Sequence, residues 1–159
     1  MNKIYLLLGS NQQDPQKQLM LAQKSIIKKI GHMQRKSAIY QTAAWGNTDQ
    51  PDFLNQVIIV QTKLTAWQTM QSILQIEKEM GRLRTVKNAP RIIDIDILFF
   101  NKELIHTVEL TVPHPQLQNR RFVLVPLNEL SPNFKHPALK KNIHQLFIHC
   151  TDKLNVKKF

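Results

Sequence analysis

Apolar and polar positions fall in blocks along this chain, and the period changes from block to block. Ile4 to Leu8 is a continuous apolar run that reads as a buried first strand, ended by Gly9-Ser10-Asn11. Asp14-Pro15 supplies a cap and a first-turn proline. Leu19, Ala22, Ile26, Ile27 and Ile30 then recur at helical spacing, so a helix with those side chains inward is expected, ended by Gly31. A second strand is expected from about Met33 to Gln41, followed by a loop that carries Trp45 beside Gly46. Phe53 to Thr62 reads as the third strand, with Asn55 buried early in it; a buried carboxamide must find hydrogen-bond partners. Thr65 and Gln68 form a capping box for a second helix. Met70, Ile73, Leu74 and Ile76 supply its inner face, and Gly81 closes it.

The next stretch organises the rest. From Lys87 to Phe100 a basic loop turns into a β-prone run with two carboxylates inside it. Pro90 fixes its own φ and biases Ala89 towards extended geometry, so the chain enters the run already stretched. Side chains then alternate between faces, with Ile93, Ile95, Ile97 and Phe99 on one side and Asp94, Asp96, Leu98 and Phe100 on the other. Neighbouring acids on one face repel and require a cationic partner. A metal ion or Arg82, Arg84, Lys87 and Arg91 are the candidates, and four cations within the thirteen residues before Asp94 favour a metal–phosphate site over a plain ion pair. Oxygen ligands on a strand suit Mg²⁺, which completes its shell with water and phosphate oxygens.

Beyond Phe100, a turn and a short excursion lead to a brief edge strand at Leu110-Thr111-Val112 and to Pro113-His114-Pro115, which holds a histidine in extended or turn geometry. A helix-like run follows from Arg120 to about Leu130, interrupted by Pro126. A last amphipathic helix spans Asn142 to about Cys150, and the lysine-rich tail is expected to be mobile. The order β-α-β-β-α-β plus a C-terminal extension is an α+β, ferredoxin-like arrangement, with an antiparallel sheet and helices on one face. The first and fourth strands are expected at the sheet centre, which would put the acids in the middle of the open face.

Composition narrows the class. At 159 residues the chain is expected to form a single domain, residues 1–159, that folds without disulfides; its single cysteine, Cys150, has no internal partner. No apolar run is long enough for a membrane span and no signal peptide is evident, so a cytoplasmic protein is expected. The formal charge of +11 favours anionic partners. The arginines at 82, 84, 91, 120 and 121 are the sharper phosphate signal, because a guanidinium binds bidentately.

Several motifs in order resemble the 6-hydroxymethyl-7,8-dihydropterin pyrophosphokinase family of folate biosynthesis. Lys87-x-Ala89-Pro90-Arg91-x-x-Asp94-x-Asp96-Ile97-Leu98 fits its signature. Gly9-Ser10-Asn11, Asp49-Gln50-Pro51-Asp52-Phe53-Leu54-Asn55, Gly81-Arg82-x-Arg84, Thr111-Val112-Pro113-His114 and Asn119-Arg120-x-Phe122-Val123-Leu124-x-Pro126-Leu127 match further family blocks. The resemblance implies transfer of pyrophosphate from ATP to the pterin hydroxymethyl group, with release of AMP. It implies two Mg²⁺ ions on Asp94 and Asp96, and Arg82 and Arg91 stabilising charge as the α–β bridge breaks. Arg84, Lys87, His114 and Arg120 would hold ATP phosphates or ribose, with Arg91 also on the ATP; Glu77, Ile97 and Thr111 would surround the nucleoside. The pterin would stack between Phe53 and Phe122, read by Asn55 and by backbone near Thr42, Ala43 and Trp45. Loops at about Gly9–Pro15, Thr42–Pro51 and Gly81–Arg91 would close over both substrates. Members of this size are commonly monomeric, acting on small molecules without nucleic acid or membrane. Thr85, Asn88 and Ala43-Ala44-Trp45 depart from the pattern of better-known members, which bears on loop closure rather than on the reaction class.

Two other readings share parts of this pattern. An RNA-binding domain can have the same element order and a basic charge, but its central strand would not carry two acids against a phosphate backbone. A metal-dependent nucleotidyltransferase or nuclease would use the acids and leave Phe53, Asn55 and Phe122 unexplained.

Overall fold

A computed structural model describes residues 1–44, 49–81 and 92–159. The strands and helices β1 (Asn2–Ser10), α1 (Pro15–Lys29), β2 (Gly31–Lys36), β3 (Tyr40–Thr42), β4 (Phe53–Thr62), α2 (Ala66–Glu79) and β5 (Asp94–Phe100) follow the expected order. The extension adds β6 (Ile105–His106), β7 (Thr111–Val112), α3 (Arg121–Leu130), α4 (Ile143–Ile148) and β8 (Lys157–Lys158). Asp14 caps α1 through its carboxylate, and both halves of the Thr65/Gln68 capping box are formed at α2. The expected second strand is two short ones. Its chain leaves the ladder at Ser37, whose amide and hydroxyl bond Val57, and rejoins it at Tyr40.

The main sheet runs β5-β1-β4-β3-β8, with β2 also on β4, and every pairing is antiparallel. The strands inside it are therefore β1, β4 and the short β3. The acid-bearing strand β5 is at the edge, not the centre. Edge placement leaves alternate backbone groups of β5 pointing outward. The Ile95 amide meets the Glu77 carboxylate at 2.9 Å, and the Leu98 carbonyl takes the His114 amide at 3.0 Å.

Both faces of the sheet bury apolar side chains. Ile4, Leu6, Leu8, Ile58, Val60, Ile95 and Ile97 pack under α1 and α2, while Tyr5, Leu7, Val57, Ile59, Leu98 and Phe99 pack under α3 and α4. Each such aliphatic contributes roughly 1.5–3 kcal/mol on burial. The two helices expected on one face are there, and the C-terminal extension covers part of the other. Ile27 and Leu74, expected inward, are half exposed. They lie just off the stripes set by Leu19, Ala22 and Ile26 on α1 and by Ile73 and Ile76 on α2.

Strict alternation along β5 fails at one point. Tyr5 pairs with Phe99 and Leu6 with Ile97, so Leu98 is an extra residue in the ladder. A bulge of one residue reverses every later side chain. Phe99 therefore lies with Tyr5 on the α3/α4 face, and Phe100 turns into the α1/α2 core, the opposite of the expected sides. Pro126 does not interrupt α3. It is buried with Val123, Leu124 and Leu127, and this packing offsets the missing bond, a loss on the order of 3 kcal/mol. The C-terminal tail is not loose either: Lys157 and Lys158 pair with Gln41 and Tyr40.

Gly31 has a different task from the expected one. Ile30 caps α1, and Gly31 opens β2, where an added Cβ would fall 2.0 Å from the Gln61 carbonyl oxygen. The obstructing atom is backbone, so the contact cannot relax cheaply. Gly31→Ala is expected to lower unfolding free energy by about 3 kcal/mol in urea titrations; an unchanged midpoint would contradict this steric reading.

Candidate active site

The register of the sheet assembles the site. Asp94 pairs with Gly9, Gly9 with Asn55, and Asn55 with Tyr40, so these four residues form one row across four strands on the α3/α4 face. The next row is Asp96, Leu7 and Val57, which runs beneath the apolar cover of α3 and α4. The acids thus sit along the rim of that cover, each half-buried. At ordinary strand spacing, Asp94 and Asn55 lie about 10 Å apart across β1, and the two acids about 7 Å apart along β5.

Gly9 is what keeps the space between them. A Cβ there would stand 3.0 Å from Asn55 Oδ1 and 4.0 Å from the Phe53 ring. Asn55 is buried, and its Nδ2 donates to the Thr42 hydroxyl at 3.1 Å. Thr42 pairs with Phe53, which lies two residues along β4 on the same side as Asn55. Ala43 follows, exposed, just past the end of β3. Phe122, in the first turn of α3, leans on the second core, with the Arg120 guanidinium 5.9 Å from its ring centre.

His114 and Arg120 belong to the acid side. Burial holds the His114 imidazole below its ordinary range, the nearby Arg120 charge pushes the same way, and Asp94 opposes them. Those influences place Asp94 and Arg120 each within electrostatic reach of His114. His114 Nδ1 accepts from the Gln116 amide at 3.2 Å, so a neutral ring carries its proton on Nε2. On the outer edge of β5, Glu77 is buried and its carboxylate accepts the Ile95 amide at 2.9 Å. The Ile97 side chain is buried in the α1/α2 core, so this residue offers backbone to the edge. Thr111 stands on β7, paired with His106.

The expected site residues Trp45, Arg82, Arg84, Lys87 and Arg91 lie outside the described residues, as do Thr85 and Asn88. Of the rest, Asp94, Asp96, Asn55, Thr42, Phe53, Phe122, His114 and Arg120 converge on one side of the sheet. Glu77, Ile97 and Thr111 gather at the outer edge of β5. Two connections escaped the sequence reading. The Ser10 hydroxyl donates to the Ile92 carbonyl, and Asn11 Nδ2 donates to Gln50 Oε1 at 2.9 Å and to the Pro51 carbonyl at 3.2 Å. They tie the end of β1 to the segments that enter β5 and β4. Asn11 and Gln50 each stand inside a family motif, which was the available signal.

The acid pair suits a hard cation. Two half-buried carboxylates on one strand are oxygen ligands, and among the described residues no group of three or more His, Cys, Asp or Glu gathers to complete a protein cage. Mg²⁺ fits such a set, because it keeps water and substrate phosphate in most of its octahedron.

Sequence and fold together define a class: an α+β phosphotransfer enzyme of the pyrophosphokinase type. A family model described as 7,8-dihydro-6-hydroxymethylpterin-pyrophosphokinase matches residues 5–132. A 2-amino-4-hydroxy-6-hydroxymethyldihydropteridine pyrophosphokinase of Aquifex aeolicus is 38% identical over 145 residues, covering 91% of this chain and 90% of the relative. The folic acid synthesis protein FOL1 of Dictyostelium discoideum is 38% identical over 138 residues, which is 87% of this chain but 21% of that much longer protein. The solved HPPK-DHPS of Plasmodium falciparum superposes with a TM-score of 0.73 at 19% identity, covering 93% of this chain and 43% of that one, a likeness of fold. The chain belongs to the 7,8-dihydro-6-hydroxymethylpterin-pyrophosphokinase family. The reaction of that family is pyrophosphoryl transfer from ATP to hydroxymethyldihydropterin in folate synthesis.

Gly9 gives the site its most direct test. Gly9→Ala is expected to push the Asn55 carboxamide aside and raise the pterin KM roughly tenfold in steady-state assays, with little change in thermal stability. An unaltered pterin KM would show that the strip over Gly9 is not substrate space.

Proposed function

We propose that the chain carries out its family's transfer on the Gly9 side of the sheet, with Asp94 and Asp96 holding two Mg²⁺ ions, ATP along the β5 edge and the pterin between Phe53 and Phe122. The observation that supports this reading is the Asp94–Gly9–Asn55 row, which sets a carboxylate and a buried carboxamide on either side of a strip without a side chain. Bound at the acids, Mg²⁺ would neutralise the triphosphate and hold it in line with the incoming hydroxyl, the main demands of phosphoryl transfer.

The chain's own groups supply the rest. His114 presents Nε2–H to a phosphate oxygen, and Arg120 adds a fixed positive charge beside it. At the outer edge the Ile97 backbone and Thr111 read the nucleoside, while Glu77, engaged with the Ile95 amide, braces β5 beneath it. Asn55 is held by Thr42 so that its remaining amide hydrogen and its carbonyl face the polar edge of the pterin. Phe53 and Phe122 supply flat apolar walls suited to offset stacking. Arg82 and Arg91 stabilise the charge that develops as the α–β bridge breaks, and Arg84 and Lys87 hold phosphates. Trp45 and the backbone of Thr42 and Ala43 complete the pterin edge. The loops close over both substrates and limit hydrolysis. The enzyme works as a cytoplasmic monomer on small molecules.

A product assay with ATP, Mg²⁺ and 6-hydroxymethyl-7,8-dihydropterin tests this reading. AMP and pyrophosphorylated pterin are expected in equal amounts. Asp96→Ala is expected to lose kcat by roughly a thousandfold while keeping its melting temperature, since its partner acid is then relieved of repulsion. ADP as product, or full activity in Asp96→Ala, would overturn it.

A further inference from the structure

The family model ends at residue 132, yet the last ten residues of this chain touch both β3 and the start of α3. The helix α3, which carries Phe122 in its first turn, begins without a cap of its own: its N-cap residue, Arg120, makes no side-chain cap bond. The missing acceptor comes from the tail. Asp152 Oδ2 takes the Arg121 amide at 2.9 Å, and its Oδ1 takes the Leu154 amide at 3.0 Å, which fixes the carboxylate in place. A carboxylate at a helix N-terminus satisfies an orphan donor and complements the helix dipole.

From Asp152 the tail crosses to β3. Lys157 and Lys158 pair with Gln41 and Tyr40 on β3, and the Phe159 amide donates to the Ile39 carbonyl at 2.8 Å. One residue beyond Gln41 is Thr42, which holds Asn55 and pairs with Phe53. The far end of α3 returns to the same strand. Glu129 accepts from the Ala38 amide at 3.1 and 3.2 Å and from the Tyr40 hydroxyl at 2.6 Å. Burial and this carboxylate push the Tyr40 hydroxyl up to about 12, so it stays a donor at any physiological pH.

We infer that residues 150–159 are a strap that sets the separation of the two pterin walls, and that Asp152 is a positioning residue acting through Phe122. The contacts close a ring: β3 to Glu129, along α3 to Arg121, through Asp152 and the strap back to β3. In a closed ring the first turn of α3 cannot tilt away from β3 without breaking the Asp152 cap or the β8 pairing. This inference rests on the reading of the cleft as the pterin site.

The test compares wild type with Asp152→Ala, with Asp152→Asn (which keeps an acceptor for the Arg121 amide) and with a chain lacking residues 157–159 (which keeps Asp152 and opens the other end of the strap). Amide exchange at Arg121 and the KM for pterin and for ATP are measured in each. Asp152→Ala is expected to speed exchange at Arg121 and to raise the pterin KM, each about tenfold, with the ATP KM within about twofold. Asp152→Asn, which keeps one of the two acceptor oxygens, should fall between wild type and Asp152→Ala in both readouts, and the deletion should raise the pterin KM alone. An unchanged pterin KM in both Asp152→Ala and the deletion would reduce the strap to a fastener and overturn the inference. Equal losses for both substrates would do the same. A wild-type enzyme without saturable pterin dependence would instead overturn the reading of the cleft, and the strap with it.

Discussion

Two carboxylates on one face of one strand are the constraint that the site answers. At about 7 Å and an effective dielectric near 20, Asp94 and Asp96 repel by about 2 kcal/mol. Against a stability of roughly 5–15 kcal/mol for a whole domain, that is not a neutral feature. It is tolerable on an edge strand, half-buried. The same pair in the middle of the sheet would face desolvation from both sides. The edge placement also frees alternate backbone groups of β5, and Glu77 and His114 are fastened to two of them.

Everything else keeps this edge in register with the Asn55 side of the sheet. Long pairings of β1 with both β4 and β5 set Asp94 level with Asn55, and a one-residue slip in either pairing would turn one of them to the other face. The bulge at Leu98 lies beyond the acids, so it re-aims Phe99 and Phe100 without disturbing the row. Its effect is to deliver Phe99 to the second core, where the ring meets Tyr5 and Phe134 edge-on at 5.6 and 4.7 Å. That core anchors α3, and α3 brings Phe122 and Arg120 to the rim.

Element order, both capping signals and the limits of β4 were legible because each is local: periodicity, a cap or a proline decides it. The acid pair and the family blocks were legible as motifs. What escaped depends on contacts distant in sequence. The position of β5 at the edge, the bulge at Leu98 and the break at Ser37 are settled by partner strands. The reason for Gly31 is the Gln61 carbonyl across the ladder, which no reading of α1 could reveal. The tail looked mobile because lysines are usually solvated, yet β3 offered it an open edge. Asp152 and Glu129 gave no signal, since a lone acid says nothing about which amide it will meet.

The most direct measurement would replace Mg²⁺ with Mn²⁺ in the ATP complex and map the paramagnetic broadening of backbone amide resonances. Broadening is expected to centre on Asp94 and Asp96, to extend across β1 to Leu7 and Gly9, and to fade before β3 and the C-terminal lysines. Broadening centred away from β5, with the amides of Asp94 and Asp96 left sharp, would contradict the assignment of these acids as the metal-holding pair.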